Sequence, residues 1–364
     1  MAVNINHATD TITATSGTLS LPNFAGGGGL THFVESESTA APNATVPVDA
    51  LTATDASYTN IDVALVAKGT GATLAQVPDG TTAGGNKRGL YATDFQKYRY
   101  FQTAAATGDY SSILGGFNST ASGYASTAIG GQSNSAFGMA SVAGGNNCGA
   151  TNFATVSFGY YNYATANYSS CIGGFFNTAS GDKATTLGGQ DLLADGEASV
   201  VLGGTYGTTR GIVGYCVTPA SVNPLGSYFK GASQTATLVL AGQTSSYSST
   251  KLKSDSNSLS ANNQLALPIN SAYSVRGEII SAVPYGGATA RWAFEVALKC
   301  GAFGTIYLLS PSLVTKTHDD SSAGVWGVYL TTNPTFNCLE VNVQGINELV
   351  NWVCKLETVE FSSS

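Results

Sequence analysis

Residues 111–147 read SSILGGFNSTASGYASTAIGGQSNSAFGMASVAGGNN, one phrase repeated almost without charge. A glycine recurs at 115, 130, 144, 159, 173, 188 and 203, in steps of 14 or 15 residues, which defines seven units. A fixed period of this kind is the mark of a solenoid, in which each unit buries its apolar face only against its neighbours. A unit this short has no room for two helices and a turn. It suits two short strands joined by tight corners, where glycine supplies the backbone freedom.

Aligned on that glycine, the units give columns. The residue before it is Leu114, Ile129, Ala143, Phe158, Ile172, Leu187 or Leu202, and two residues earlier stand Ser112, Thr127, Ser141, Val156, Ser170, Thr185 and Val200. Six residues after it come Ala121, Ala136, Ala150, Thr165, Ala179, Ala194 and Thr209. Residues two apart on a strand share a face, so the first two columns are expected to point together into the coil. The column between them is Ile113, Ala128, Val142, Ser157, Cys171, Thr186 and Val201, and it carries no charge. A strand apolar on both faces is buried on both. These seven are therefore the candidate trimer-interface residues, since three-fold packing buries one flank of a thin coil.

The phrase TASGYASTAIGGQSNSAFGMASVAGG resembles the head repeats of trimeric autotransporter adhesins, and the same repeat occurs in bacteriophage tail fibres. The resemblance spans residues 108 to about 210. It implies a left-handed parallel β-roll and a homotrimer.

Composition agrees with a protein that hides much of its surface. Only 10% of the 364 residues are charged, 43% are hydrophobic and 44 are glycine, with a net charge of −7. No basic block exceeds Lys87-Arg88, so a nucleic-acid partner is not expected. The start, MAVNINHATDTITATSG, lacks the basic and apolar regions of a secretory signal. No apolar run approaches the roughly 18 residues of a membrane-spanning helix, so membrane insertion is not expected. Six scattered cysteines and three histidines (7, 32 and 318) show no metal-ligand spacing. The expectation is no metal, no cofactor and no catalytic residue, hence no enzyme. Cys300 and Cys354 lie in alternating apolar runs and read as buried thiols.

The flanks divide the chain further. Residues 1–100 form an N-terminal β domain, with TDTITATSGTLSL and NIDVALVAKGTGATLAQVPDG as strands and FAGGGGL as a hinge. Residues 101–210 are the β-roll and 211–234 a linker. In 235–364 the period becomes two, as in AYSVRGEIISAV and WAFEVALKC, which argues a β-sandwich or jelly roll. The LVAKGTGATLAQVPDG, GGNKRG and ATDFQ segments before the repeats, with the later strand order, resemble phage tail-fibre proteins.

That resemblance implies an all-β, homotrimeric virion fibre, assembled in the host cytoplasm. Its partners would be other tail or baseplate proteins and a host-surface glycan or protein. The candidate receptor contacts are Tyr285, in VPYGGAT, and His318, Asp319 and Asp320, in TKTHDDSSAG, because these polar segments punctuate strands. Tyr160, Tyr161, Tyr163 and Tyr168 cluster around the fourth repeat as a second place where sugar rings could pack. Alternatives in the same architecture are a bacterial trimeric adhesin, a polysaccharide-degrading tailspike, and a capsid or collar fibre.

Overall fold

The computed structural model describes residues 3–6, 11–14, 33–38, 48–53, 57–222, 225, 229–309, 314–320 and 325–363. Every regular element among them is a strand. The chain forms two compact units, Met1–Val66 and Ala67–Ser364, so the division falls well before the expected 100/101 boundary. The first unit contains two antiparallel pairs, Val3–Asn6 with Thr11–Ala14 and Phe33–Ser38 with Val48–Ala53. The FAGGGGL segment lies outside the described residues. Between residues 57 and 80 only Thr73–Leu74 is a strand, and Val63, Leu65, Val66 and Val77 are exposed. Among the described residues the apolar alternation there forms no other strand.

In the second unit each repeat makes one coil with two strands, for example Thr127–Gln132 and Ser135–Ala136. The first strands stack in parallel from Thr73–Leu74 to Cys216–Pro219, ten in all, and the second strands form a separate six-stranded sheet from Thr120–Ala121 to Leu193–Ala194. The solenoid thus extends past the seven sequence units at both ends, where Thr93–Asp94 and Cys216–Pro219 add rungs without the glycine phrase.

The faces of the first strand are the reverse of the sequence expectation. Ile113, Ala128, Ala143, Ser157, Cys171, Thr186 and Val201 are fully buried inside the coil, opposite Ala121, Ala136, Ala150, Ala164, Ala179 and Ala194. Leu114, Ile129, Ile172, Leu187 and Leu202 point outward and are 40–54% exposed. Of the seven residues assigned to a trimer interface, only Val142 faces outward, because the 14-residue units shift the register and put Ala143 in the interior column. The physical reason is width. Two strands joined by corners of a few residues leave space mostly for Ala, Ser, Cys and Thr, with Ile113 and Val201 in the first and last units, and a continuous Leu ladder would not fit. Cys171 is buried inside the coil; its thiol donates to the Tyr163 carbonyl at 3.1 Å, and burial pushes it up to about 11.

Corner glycines permit the stacking. Gly131 has φ +76°, and a Cβ there would stand 1.9 Å from the Gly145 carbonyl oxygen of the next coil. Behind the corners runs a ladder of buried amides. Asn162 Nδ2 donates to the Phe158 carbonyl (2.7 Å) and the Gly173 carbonyl (2.8 Å), and its Oδ1 accepts from Asn177 N at 2.9 Å. Asn134 and Asn177 repeat the pattern with the carbonyls of Gly145 and Gly188. These side chains satisfy backbone groups that a tight corner otherwise strands. Asn162→Ala leaves a buried amide N–H and carbonyls unpaired and is expected to cost about 1–3 kcal/mol for each stranded group. The check is the urea midpoint, with Thr165→Ala, half-buried on the outer side of the same coil, as the reference.

Part of the segment expected as linker, 211–234, is strand. Cys216–Pro219 pairs in parallel with Val200–Leu202 and antiparallel with Ser233–Thr244, so residues expected as linker carry the solenoid sheet into the C-terminal region. Beyond it, Ser233–Thr244, Val350–Ser362, Ser271–Ala282 and Thr289–Cys300 lie side by side with strict alternation of burial. A four-stranded sheet (Ser249–Lys251, Leu265–Ala266, Gly327–Asn333, Cys338–Gln344) shares their core. Trp352 holds the centre, with its ring 5.4 Å from that of Trp292 and 5.9 Å from that of Trp326. The same core includes Leu192, Val201, Ile212 and Tyr215 from the last coils, so roll and C-terminal sheets are one packed body.

Candidate functional site

Three surfaces of the Ala67–Ser364 unit carry residues that packing within the chain does not explain. The first is the outer face of the long sheet. Leu114, Ile129, Phe158, Ile172, Leu187 and Leu202 share this face, with Gly144 on the rung between Ile129 and Phe158, beside the half-buried Ser112, Thr127, Val142, Val156, Ser170, Thr185 and Val200. The outward positions of the second-strand sheet are smaller or mixed: Thr120, Ser135, Gly149, Tyr163, Thr178 and Leu193. A solvated sheet face commonly carries charged residues; this one carries none, and its exposed Leu/Ile row is a contiguous apolar stripe. At its C-terminal end the face opens into a depression of about 690 Å³ lined by Leu202, Thr218, Thr235, Ser274, Arg276 and Glu357.

The second surface is the distal end of the C-terminal sheet. Tyr285 sits at the tip of the hairpin between Ser271–Ala282 and Thr289–Cys300, fully exposed with φ +63°. His318 and Asp319 belong to the strand Thr315–Asp319, which pairs with the second arm of that hairpin: Ala290 opposite Asp319 and Arg291 opposite His318. Asp320 accepts from Thr289 N (2.8 Å) and Thr289 Oγ1 (3.0 Å). All four sequence candidates therefore gather at one end of one sheet, although residues 321–324 of the segment lie outside the described residues. Lys316 pairs with Asp319 at 3.2 Å and lies over the Trp292 ring, 5.3 Å from its centre.

The Thr289 amide and then its hydroxyl hold the Asp320 carboxyl below the usual carboxylate range. A depressed carboxyl contributes its clamp above the ordinary Asp value of about 3.9 and loses it as pH falls through the lower folded value. An acid titration followed at the Thr289 amide by NMR is expected to show its midpoint below about 3.9. Asp320→Asn should abolish that step.

The third surface is the corner that follows the first strands. Tyr98, Phe117, Gln132, Asn146, Tyr160, Phe175, Gln190 and Thr205 form one continuous column there. Tyr160, Tyr161, Phe175 and Phe176 pack their rings with centroids 4.7–5.9 Å apart. Tyr163 and Tyr168, expected in the same cluster, lie elsewhere: Tyr163 on the second-strand face and Tyr168 against Phe153 at the opposite corner.

Sequence reasoning missed a buried polar network at the junction. Arg210, in the last coil, donates to the Glu360 carboxylate, to Tyr273 Oη and to the Gly231 carbonyl. Glu360 is buried and also accepts from Tyr215 Oη, Gln234 Nε2 (2.8 Å) and Thr358 Oγ1 (2.6 Å). Burial first, then the Glu360 charge, raises both tyrosines. The only available signal was that Glu360 falls in the same inward register of the last strand as Trp352, Cys354 and Leu356. The basic residues around Lys87-Arg88 are likewise structural in part. Arg88 pairs with buried Asp94 at 2.6 Å, and Arg99 donates to the Ala83, Gln96 and Ala104 carbonyls.

No protein-family model matches the chain, and no curated protein matches it by sequence. Among solved structures it is similar to a tailspike protein from Acinetobacter baumannii bacteriophage Fri1, described as a capsular polysaccharide depolymerase. The identity is 10% and the TM-score 0.23, over 79% of this chain and 44% of that one. It is also similar to the tailspike protein of Acinetobacter phage vB_ApiP_P1, with 8% identity, TM-score 0.20, and 76% and 55% coverage. The chain thus spans about half the length of these structures. The expectation that the chain is not an enzyme is corrected here: the first of these structures is a depolymerase, and the non-enzyme expectation is withdrawn. Release of reducing ends from capsular polysaccharide by the purified chain is the direct assay.

Proposed function

We propose that the chain is a subunit of a trimeric phage tail fibre or tailspike that attaches the particle to the host surface. The observation that supports this reading is the uncharged Leu/Ile/Phe ladder on the outside of the roll, which one chain cannot cover. Three chains meeting along this face would bury one ladder each and form a stiff rod, with the handedness and the adhesin-like kinship of the repeat belonging to the same reading. The continuous sheet then joins the spacer rigidly to a C-terminal β-sandwich. Tyr285, His318, Asp319 and Asp320 would be presented once per chain. Three weak contacts on one rod, and several rods per particle, multiply modest affinities for a host glycan or protein. The first unit, Met1–Val66, would join the fibre to other tail or baseplate proteins.

The test is electron microscopy of virions with antibody raised against the chain. Decoration of the tail is expected, decoration of the collar or head would move the fibre there, and bare particles would contradict a virion role.

A further inference from the structure

We infer that the corner formed by Tyr160, Tyr161, Phe175 and Phe176 is a binding platform for a neutral saccharide, separate from the C-terminal end. Tyr160, Phe175 and Phe176 are 38–46% exposed, stacked two coils deep. The rungs advance by about 4.8 Å, comparable to one sugar residue of an extended glycan running along the coil.

Backbone conformation argues that the rings are there for a purpose. Tyr161 and Phe176 hold φ of +52° and +58°. The equivalent positions on other rungs are Asn118, Ser133, Asn147, Asp191 and Tyr206, also at positive φ, and four of these five are short polar residues. Short polar side chains tolerate that region, whereas bulky ones are strained in it; in this column 161 and 176 are the adjacent rungs that both carry an aromatic there. Folding alone would be served better by Asn at 161 and 176.

The flanks decide the ligand class. On one side lie Asn146, bonded to Gln132 at 3.4 Å, and Asn147; on the other Gln190 donates to Asp191 at 3.0 Å. The core of a protein interface is depleted of such carboxylates. Aromatic faces beside amides suit a pyranose instead, its C–H face on the π-cloud and its hydroxyls on the amides. With Asp191 as the charged group bordering the rings, a neutral sugar fits better than an acidic one.

The experiment uses the full chain and linear gluco-, galacto- and manno-oligosaccharides, with uronic-acid oligomers as the acidic arm, in titration calorimetry. The variant is Tyr161→Asn with Phe176→Asn, which installs the residue that Asn118 and Asn147 already place in this backbone conformation. At least one neutral oligomer should bind, and the variant should weaken it by about tenfold or more. The variant's melting temperature and mass should hold, the former unchanged or raised. Four results would overturn the inference: no neutral oligomer bound, binding by acidic oligomers only, undiminished binding by the variant, or a variant that melts earlier or changes its mass. Decoration of virions by antibody does not depend on any of these outcomes.

Discussion

Replacing Arg210 with Met should destabilise the junction by about 3–5 kcal/mol, because it leaves the Glu360 carboxylate buried without its counter-charge. Glu360 has no exposed surface and Arg210 very little, so water cannot substitute for the lost partner. The remaining donors, Tyr215, Gln234 and Thr358, are neutral. Arg210 comes from the last coil, Gln234 from the first C-terminal strand and Glu360 from the last strand, 150 residues on from Arg210. The loss should therefore loosen the roll from the C-terminal sheet. Arg210→Met together with Glu360→Gln removes both charges and should recover a large part of the loss. Denaturant midpoints of the two single variants and the double variant measure the coupling. Additive effects would show that the two side chains do not act as a pair.

The second large effect is expected at Gly131→Ala. A left-handed backbone costs a residue with a Cβ roughly 1–2 kcal/mol, and forcing atoms into a packed stack costs about 1–3 kcal/mol more. Here the new methyl would stand 1.9 Å from a backbone oxygen of the next coil, which no side-chain rotation relieves. A total of about 2–5 kcal/mol is expected. At Gly130, where a Cβ would meet open space at φ +53°, only the backbone part applies. Melting curves of the two alanine variants separate the stacking contribution from the conformational one. Equal shifts would mean that the coils are not in the tight register seen at Gly131 and Gly145.

The period of 14–15 residues was legible in the sequence, and with it the solenoid. Its parity was not. In a period-two pattern a one-residue slip exchanges the two faces, and here both columns were uncharged, so hydropathy could not choose between Ile113 and Leu114. Width chooses, and width depends on corner lengths that only the folded coil fixes. The 14-residue units hid a second slip: Ala143 and Ala164 line the interior, where an alignment on glycine grouped Val142, expected at the trimer interface, with Ile113 and Ala128, and placed Thr165 in the inner Ala column. The linker expectation failed at Cys216–Pro219 because Gly and Pro around a strand resemble a loop when its pairing partner lies on the next element. The C-terminal strands were readable from their alternation, as was the exposure of Tyr285. Arg210 with Glu360, and the Asn134, Asn162 and Asn177 ladder, were not, since buried polar residues look like surface ones until their partners are placed.

The central claim is that the outward Leu114, Ile129, Phe158, Ile172, Leu187 and Leu202 ladder is covered by further copies of the chain. Light scattering of the purified full chain measures this most directly. The account predicts three times the 37.1 kDa of one chain, falling toward a single chain in an Ile172→Lys, Leu187→Lys variant. A single-chain mass for the unaltered protein, with the ladder open to water, would contradict it.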